Sequence, residues 1–220
     1  MIIALDGPSG AGKSTVAQMA AKQLGFAYID TGALYRAIGV AVMRTGASTK
    51  DEIAVANALP TLALSVKYQG GEQRVFLGKE DVSDEIRTPK ASLAASDVGK
   101  VPAVRDYLLE LQRDLARAQP SILDGRDIGT VVLPNADVKI FITATAEERA
   151  QRRYLQLKNK GIDEPYEKVL TEVVARDEQD MNRAIAPLKQ ADDAVLLDTT
   201  RFSLEESVAA VVDIVKEIQP

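Results

Sequence analysis

Apolar residues first form a short unbroken run, Ile2-Ile3-Ala4-Leu5, and then recur at helical spacing at Val16, Ala20 and Leu24. The run predicts a buried strand and the spaced positions a helix. A second strand is expected over Phe26-Ala27-Tyr28-Ile29-Asp30, then a helix from about Ala33 to Arg44 with Leu34, Ile38 and Val42 on one side. Residues 62–77 change rhythm. Leu62, Leu64, Val66 and Tyr68 alternate, Gly70-Gly71 supplies a turn, and Val75-Phe76-Leu77 returns, which predicts a β-hairpin. Val104, Leu108, Leu111 and Leu115 restore a helical period, and Ile122-Leu123-Asp124 and Val138-Lys139-Ile140-Phe141-Ile142 read as core strands. Thr145 with Glu148 is a capping box opening another helix, and a further helix covers roughly 164–183. Val195-Leu196-Leu197 reads as the last strand. Ser203 with Glu206 caps a final helix with Leu204, Val208, Val211, Val215 and Ile218 as its core face.

Alternating strands and helices predict an α/β protein in which helices wrap a parallel sheet. The hairpin interrupts that rhythm. It is read as an insertion beside a ligand cleft; the alternative is a stabilising flap with no ligand role.

Between the first strand and helix lies Gly7-Pro8-Ser9-Gly10-Ala11-Gly12-Lys13-Ser14, which fits G-x-x-x-x-G-K-[ST], the loop that cradles nucleoside triphosphate phosphates. Gly7, Gly10 and Gly12 let the backbone turn tightly against an anion, and the helix beginning near Lys13 points free N–H groups at it. Lys13 is expected at a solvated loop–helix junction, its charge directed at the β- and γ-phosphates. The Ser14 hydroxyl is the expected magnesium ligand, with Thr15 beside it.

Composition narrows the chemistry. The 220-residue chain has no cysteine and no histidine, which removes thiol chemistry, disulfides, and any histidine-based triad or metal site. Net charge is −5, so a general nucleic-acid binder is not expected. Nine of the 14 arginines nevertheless fall between Arg105 and Arg183, which suits a small anionic ligand. The N-terminus shows no signal-like segment, and no apolar stretch reaches the roughly 18 residues of a membrane span. A cytoplasmic enzyme without membrane or nucleic-acid partners is expected.

Other polar groups sit near strand ends, where open α/β sheets bind ligands. Asp30-Thr31-Gly32-Ala33-Leu34-Tyr35-Arg36 closes the second strand; Thr31 is expected to cap the next helix and Arg36 to fork onto a phosphate. Asp124-Gly125-Arg126-Asp127 follows another strand, and its acids are placed to organise magnesium or an attacking oxygen. Arg149, Arg152 and Arg153 lie at i, i+3 and i+4; they repel one another unless a triphosphate binds, and Gly161 and Pro165 then mark 149–165 as a mobile lid, the alternative being a solvated helix face. Arg176, Asp180 and Arg183 share one helix face, with Arg176 and Asp180 able to pair. Asn159-Lys160-Gly161-Ile162 resembles a guanine-reading motif only superficially.

Six segments together resemble the bacterial cytidylate kinases across essentially the whole chain: GPSGAGKST (7–15), DTGALYRA (30–37), DVSDEIRTP (81–89), DGRDIGTVV (124–132), IFITATAEERAQRR (140–153) and RDEQDMNRAIAPL (176–188). The resemblance implies the P-loop nucleoside monophosphate kinase fold: a core (1–45, 91–145 and 184–220), a monophosphate-binding insert (about 46–90) that contains the hairpin, and a lid with adjoining helices (about 146–183). It implies transfer of the γ-phosphoryl of ATP to CMP or dCMP, with magnesium, by a monomer. By the same resemblance, Arg36, Arg126 and Arg183 hold the CMP phosphate with Tyr35 and Thr31 nearby, and Arg176 and Asp180 reach the ribose. Ser96, Arg105 and Asp127 read cytosine. Asp124 positions magnesium and acceptor, residues 7–15 hold ATP, and Arg149, Arg152 and Arg153 close over it. Lys13, Asp124, Arg126, Arg149 and Arg153 are thereby the implied catalytic set. Thr31 stands where some relatives carry serine, and Ser14-Thr15 where many carry Gly-Thr, so either hydroxyl of that pair is open as the magnesium ligand. Two alternatives stay open: a kinase of another small acceptor, such as a different nucleoside monophosphate or shikimate, and an ATP-dependent switch protein.

Overall fold

The computed structural model describes residues 1–159 and 161–218. Lys160, Gln219 and Pro220, which fall within the expected lid and final core segment, lie outside the described residues. In chain order the regular elements are β1 (Ile2–Asp6), α1 (Lys13–Leu24), β2 (Ala27–Asp30), α2 (Thr31–Arg44), α3 (Glu52–Ala58), β3 (Leu64–Gln69), β4 (Glu72–Leu77), β5 (Glu80–Asp81), α4 (Pro89–Val98) and α5 (Pro102–Arg117). They continue with β6 (Ser121–Asp124), β7 (Val138–Thr143), α6 (Ala146–Asn159), α7 (Tyr166–Asn182), β8 (Val195–Asp198) and α8 (Leu204–Ile218). A π-helical turn, Ile128–Val132, lies between β6 and β7.

The chain packs as two compact units, Met1–Ala27 with Pro120–Pro220, and Tyr28–Gln119. The first holds four parallel strands, in the order β6-β1-β7-β8. β2 enters at the boundary, where the Ala27 N–H donates to the Pro120 carbonyl at 2.8 Å. β1 lies between β6 and β7, with Leu5 opposite Asp124 and Asp6 opposite Phe141. Because both of its faces are buried, β1 reads as an unbroken apolar run and not as an alternation. Its C-terminal end thus sets the phosphate-binding loop beside the end of β6. α1 and α8 pack together, and Val208, Val211, Val212 and Val215 bury one face of α8. Leu204 and Ile218, expected in that face, occupy the end residues of the helix and are exposed. The capping box of α8 closes both ways: Ser203 N–H donates to the Glu206 carboxylate and Glu206 N–H to the Ser203 hydroxyl.

In the second unit α2 is buried on two faces. Leu34, Ile38 and Val42 pack with Val55, Leu59, Val98, Val104 and Leu108, and Ala33, Ala37 and Val40 pack with Val75, Val82, Ile86 and Ala91. Only Gly fits at 39: a Cβ there would come within 2.7 Å of the Ala94 Cβ, so α2 and α4 lie in close contact. The hairpin is β3 paired antiparallel with β4 from Leu64↔Leu77 to Gln69↔Glu72, extended by β5. α3, α4 and β5 add to the elements that periodicity predicts.

Candidate functional site

Around the phosphate-binding loop, glycine is required by both backbone and space. Gly7 has φ +146°, and a Cβ there would meet the Ile142 carbonyl oxygen at 1.9 Å. Gly12 caps α1 at φ 81° with no side-chain bond to the first helical N–H groups. The amides of the first turn therefore have no intrahelical acceptor, and the positive end of α1 faces the loop. Lys13 is 5% exposed, and its Nζ donates to the Pro8 carbonyl at 2.8 Å. The expectation of a solvated lysine is thus corrected, because the loop folds over the side chain. Burial, with the nearby Arg126 charge adding to it, pulls its ammonium down to about 7. Ser14 donates its hydroxyl to the Asp124 carboxylate, which is itself buried at the end of β6. Thr15 points to solvent.

The three arginines of α6 find different partners. Arg149 is buried; its two Nη groups bond both oxygens of Asp177, its Nε donates to the Ala144 carbonyl at 2.9 Å, and Nη1 also reaches the Ser9 carbonyl at 2.9 Å. Arg152 pairs with Glu148 at 2.9 Å and donates to the Thr199 carbonyl at 2.7 Å. Arg153 reaches Gln156. The view of these three as a repelling surface row is therefore corrected: Asp177, brought by the fold, neutralises Arg149, and Glu148, one turn back on the same helix, neutralises Arg152. α6 and α7 join through Ala150, Leu157, Val169 and Val173, which places Asp177 against Arg149.

Arg126 and Asp127 follow Asp124 after Gly125. Arg126 Nε donates to Asp180 at 3.1 Å, so the acid expected to face Arg176 also binds a guanidinium 54 positions away. Arg183 donates to Asp127 at 3.2 Å and to the Ala186 carbonyl. It lies just beyond the end of α7, not on the helix face that spacing suggested, while half-buried Arg176 stays on the helix. Asp6, which sequence reasoning did not single out, is buried at the end of β1. Its carboxylate accepts from Ile128 N–H at 2.8 Å and Gly129 N–H at 2.7 Å, which anchors the turn following Asp127. Burial pushes its carboxyl up to about 6, against the pull of those two bonds. An acid directly before the glycine of the loop was the one available sequence signal.

In the second unit Asp30, not Thr31, caps α2: its Oδ1 accepts from Ala33 N–H at 3.0 Å, and Thr31 is the first helical residue. A β-region Asp before the helix satisfies the orphan amide that was assigned to the threonine hydroxyl. Asp30 Oδ2 also accepts from Arg36 Nη2 at 2.7 Å. Arg105 is buried on α5, lies over the Tyr35 ring with its guanidinium carbon 5.9 Å from the centroid, and donates to the Gly99 carbonyl at 3.3 Å. Ser96 is half-buried on α4.

Magnesium takes oxygen ligands and is commonly held by one or two protein groups together with substrate phosphates and water. Ser14 and Asp124, a hydroxyl and a carboxylate already in contact at the phosphate-binding loop, fit that donor set. Among the described residues no group of three or more acids is arranged to hold a metal by itself.

Comparison with known proteins gives the family. The model of the family described as cytidylate kinase matches residues 3–217. A cytidylate kinase of Caldicellulosiruptor bescii is 49% identical over 212 residues, 96% of this chain and 94% of the relative. One from an Exiguobacterium species is 47% identical over 217 residues, 99% and 97% of the two chains. Among solved structures, a shikimate kinase from Bacteroides thetaiotaomicron shares the fold with a TM-score of 0.50 at 12% identity, over 98% of each chain. With a match that runs from β1 to α8 and takes in the loop, the Asp124–Asp127 turn and the arginines of α6, the chain belongs to the cytidylate kinase family.

Proposed function

We propose that this protein transfers the γ-phosphoryl of ATP to CMP, and to dCMP, giving ADP and CDP or dCDP. Family membership supports the substrate pair. The observation that carries the chemistry is the phosphate-binding loop with Lys13 folded inside it and Ser14 bonded to Asp124.

Phosphoryl transfer needs positioning and charge neutralisation more than covalent help. The donor's phosphates are assigned to the backbone amides of residues 7–15 and to Lys13. Lys13 exchanges its bond to the Pro8 carbonyl for phosphate oxygens and gains full charge as it does so. Magnesium, when bound, would supply charge neutralisation to the donor's phosphates. Ser14 or Thr15 supplies a hydroxyl to it, and Asp124 orients it from the end of β6. Arg152 and Arg153 are assigned to the donor's phosphates, and Arg149 acts there by holding the loop through the Ser9 carbonyl. The acceptor's phosphate is assigned to Arg126 and Arg183, and to Arg36 of the second unit; Tyr35 directly precedes Arg36 and Thr31 lies five positions before it. Arg176 and Asp180 are assigned to the ribose, and Ser96, Arg105 and Asp127 to cytosine. An ionised phosphate oxygen is the nucleophile, so the lack of histidine costs nothing. A cytoplasmic monomer is the expected form; no helix among the described residues is long and apolar enough to cross a membrane.

The test is ADP release from ATP with CMP, dCMP, UMP, AMP, GMP and shikimate in turn. CMP and dCMP should be the preferred acceptors. Faster turnover with another acceptor, or ADP release indifferent to any acceptor, would overturn the proposal.

A further inference from the structure

We propose that Gln73 is a positioning residue for Arg36, and that the β3–β4 hairpin serves the acceptor through it. The proposal rests on the reading of Arg36 as a ligand of the acceptor's phosphate.

The Gln73 side chain does for Asp30 what a neighbouring strand does. Its Oε1 accepts from the Asp30 N–H at 2.8 Å and its Nε2 donates to the Asp30 carbonyl at 3.1 Å. These two partners fix the orientation of the amide, since the flipped assignment would set donor against donor and acceptor against acceptor. Tyr68 is the cross-strand partner of Gln73, and its hydroxyl donates to the Tyr28 carbonyl at 3.3 Å. One rung of the hairpin therefore holds two alternate residues of the 28–30 segment. That rung sits at the turn end of the hairpin, next to Gln69↔Glu72, where a purely packing role has least to offer. The apolar contacts of β4 come from Val75 and Leu77 instead.

The Asp30 carboxylate carries the constraint onward. Oδ1 caps α2 at Ala33 and Oδ2 takes one N–H of Arg36. The pair is partly open to solvent, with side-chain exposures of 23% and 28%, so its own geometry is only weakly enforced. Gly32 leaves the space in which the guanidinium lies; a Cβ there would stand 3.1 Å from Arg36 Nη1 and 3.2 Å from Asp30 Oδ1. The line runs from the Gln73 amide to the Asp30 main chain, to the Asp30 carboxylate, to the Arg36 guanidinium. With Nη2 committed to Asp30 and Nε buried, the rest of the Arg36 guanidinium is held for an anion in one orientation. Holding the guanidinium before the anion arrives removes an ordering cost from binding.

The test is steady-state kinetics on the full chain, with CMP and ATP varied separately, for Gln73→Leu, Arg36→Lys and the double variant. Gln73→Leu should raise KM for CMP about tenfold, leave KM for ATP unchanged and keep kcat within about twofold; tenfold corresponds to roughly 1.4 kcal/mol. In the Arg36→Lys background the same change should add nothing, because the residue acts through the guanidinium. Tyr68→Phe should shift KM for CMP in the same direction by about twofold. If Gln73→Leu fails to fold, Gln73→Asn, one methylene too short to reach both groups, carries the same expectation. An Arg36→Lys effect with no Gln73 effect, an equal rise for both substrates, or an additive double variant overturns the inference alone. An Arg36→Lys variant with unchanged KM for CMP overturns the reading of Arg36 and the inference with it.

Discussion

Replacing Arg149 by alanine should unfold the protein far more readily, which the spacing of three arginines on one helix gives no reason to expect. The guanidinium is 5% exposed and Asp177 13% exposed, and both oxygens of that acid are bonded to it. The substitution leaves the Asp177 carboxylate nearly buried without its partner, and strips a donor from the Ser9 and Ala144 carbonyls. Breaking a buried ion pair from one side costs about 3–5 kcal/mol; the residual exposure of Asp177 argues for the lower part, about 3–4 kcal/mol. For a chain of this size that is a fall in Tm of roughly 6–16 °C. Arg153→Ala is the internal control: its bond to Gln156 is a surface contact, and the change should stay within about 0.5 kcal/mol. Replacing both partners, Arg149→Met with Asp177→Leu, should recover most of the loss, because no buried charge is then left alone. Urea denaturation of the four proteins measures all of this. Equal stability of Arg149→Ala and the parent would refute the reasoning, since the ion pair would then hold nothing together.

Four further outcomes follow from the same site. Lys13→Met should lower kcat by roughly a thousandfold while leaving the fold intact, since it removes the charge and keeps the volume. The buried lysine titrates near 7 instead of 10.5, so the unfolded chain binds more protons between those values; parent stability should rise from pH 7 toward 10, and denaturation of Lys13→Met should lack that rise. Asp6 has the opposite sign: its carboxyl is raised to about 6, so the stability present below about pH 3.8 is lost as pH climbs through 6, on the order of 3 kcal/mol, and Asp6→Asn should flatten that part of the profile. Asp127→Asn should narrow the preference for CMP over UMP, chiefly by losing CMP activity, because an ionised acid accepts from the cytosine amino group and an amide can turn a donor to the uracil carbonyl; unchanged discrimination in kcat/KM would show that the base is read elsewhere.

The phosphate-binding loop was legible because its glycines, Lys13 and Ser14 are contiguous in sequence between β1 and α1, although Arg149 and Ile142 press on it from afar. The hairpin was legible from its alternation, and the α8 capping box from Ser203 and Glu206. α4 was missed because its buried positions, Ala91, Ala94 and Val98, are mostly small, although Thr88-Pro89 is a helix-start signal that places Pro at the first turn. The short α3 buries only Val55. What spacing could not disclose is which charges meet. Arg149 finds Asp177 after 28 positions, Arg126 finds Asp180 after 54 and Arg183 finds Asp127 after 56, and each pairing exists only because sheet and helices are already in place. Local reasoning could offer just the i, i+4 partner, and so suggested Arg176 for Asp180 and repulsion for Arg149. The same limit hid the burial of Lys13, which depends on how the loop closes over its own side chain.

The central claim is that the phosphoryl group leaves ATP for the phosphate of CMP. ATP labelled at the γ-position, incubated with the protein, magnesium and CMP, tests it directly when the products are separated. The label should appear at the β-position of CDP, one equivalent for each ADP formed, and should vanish from CDP in Lys13→Met. Label recovered as inorganic phosphate, with CMP unchanged, would contradict the account.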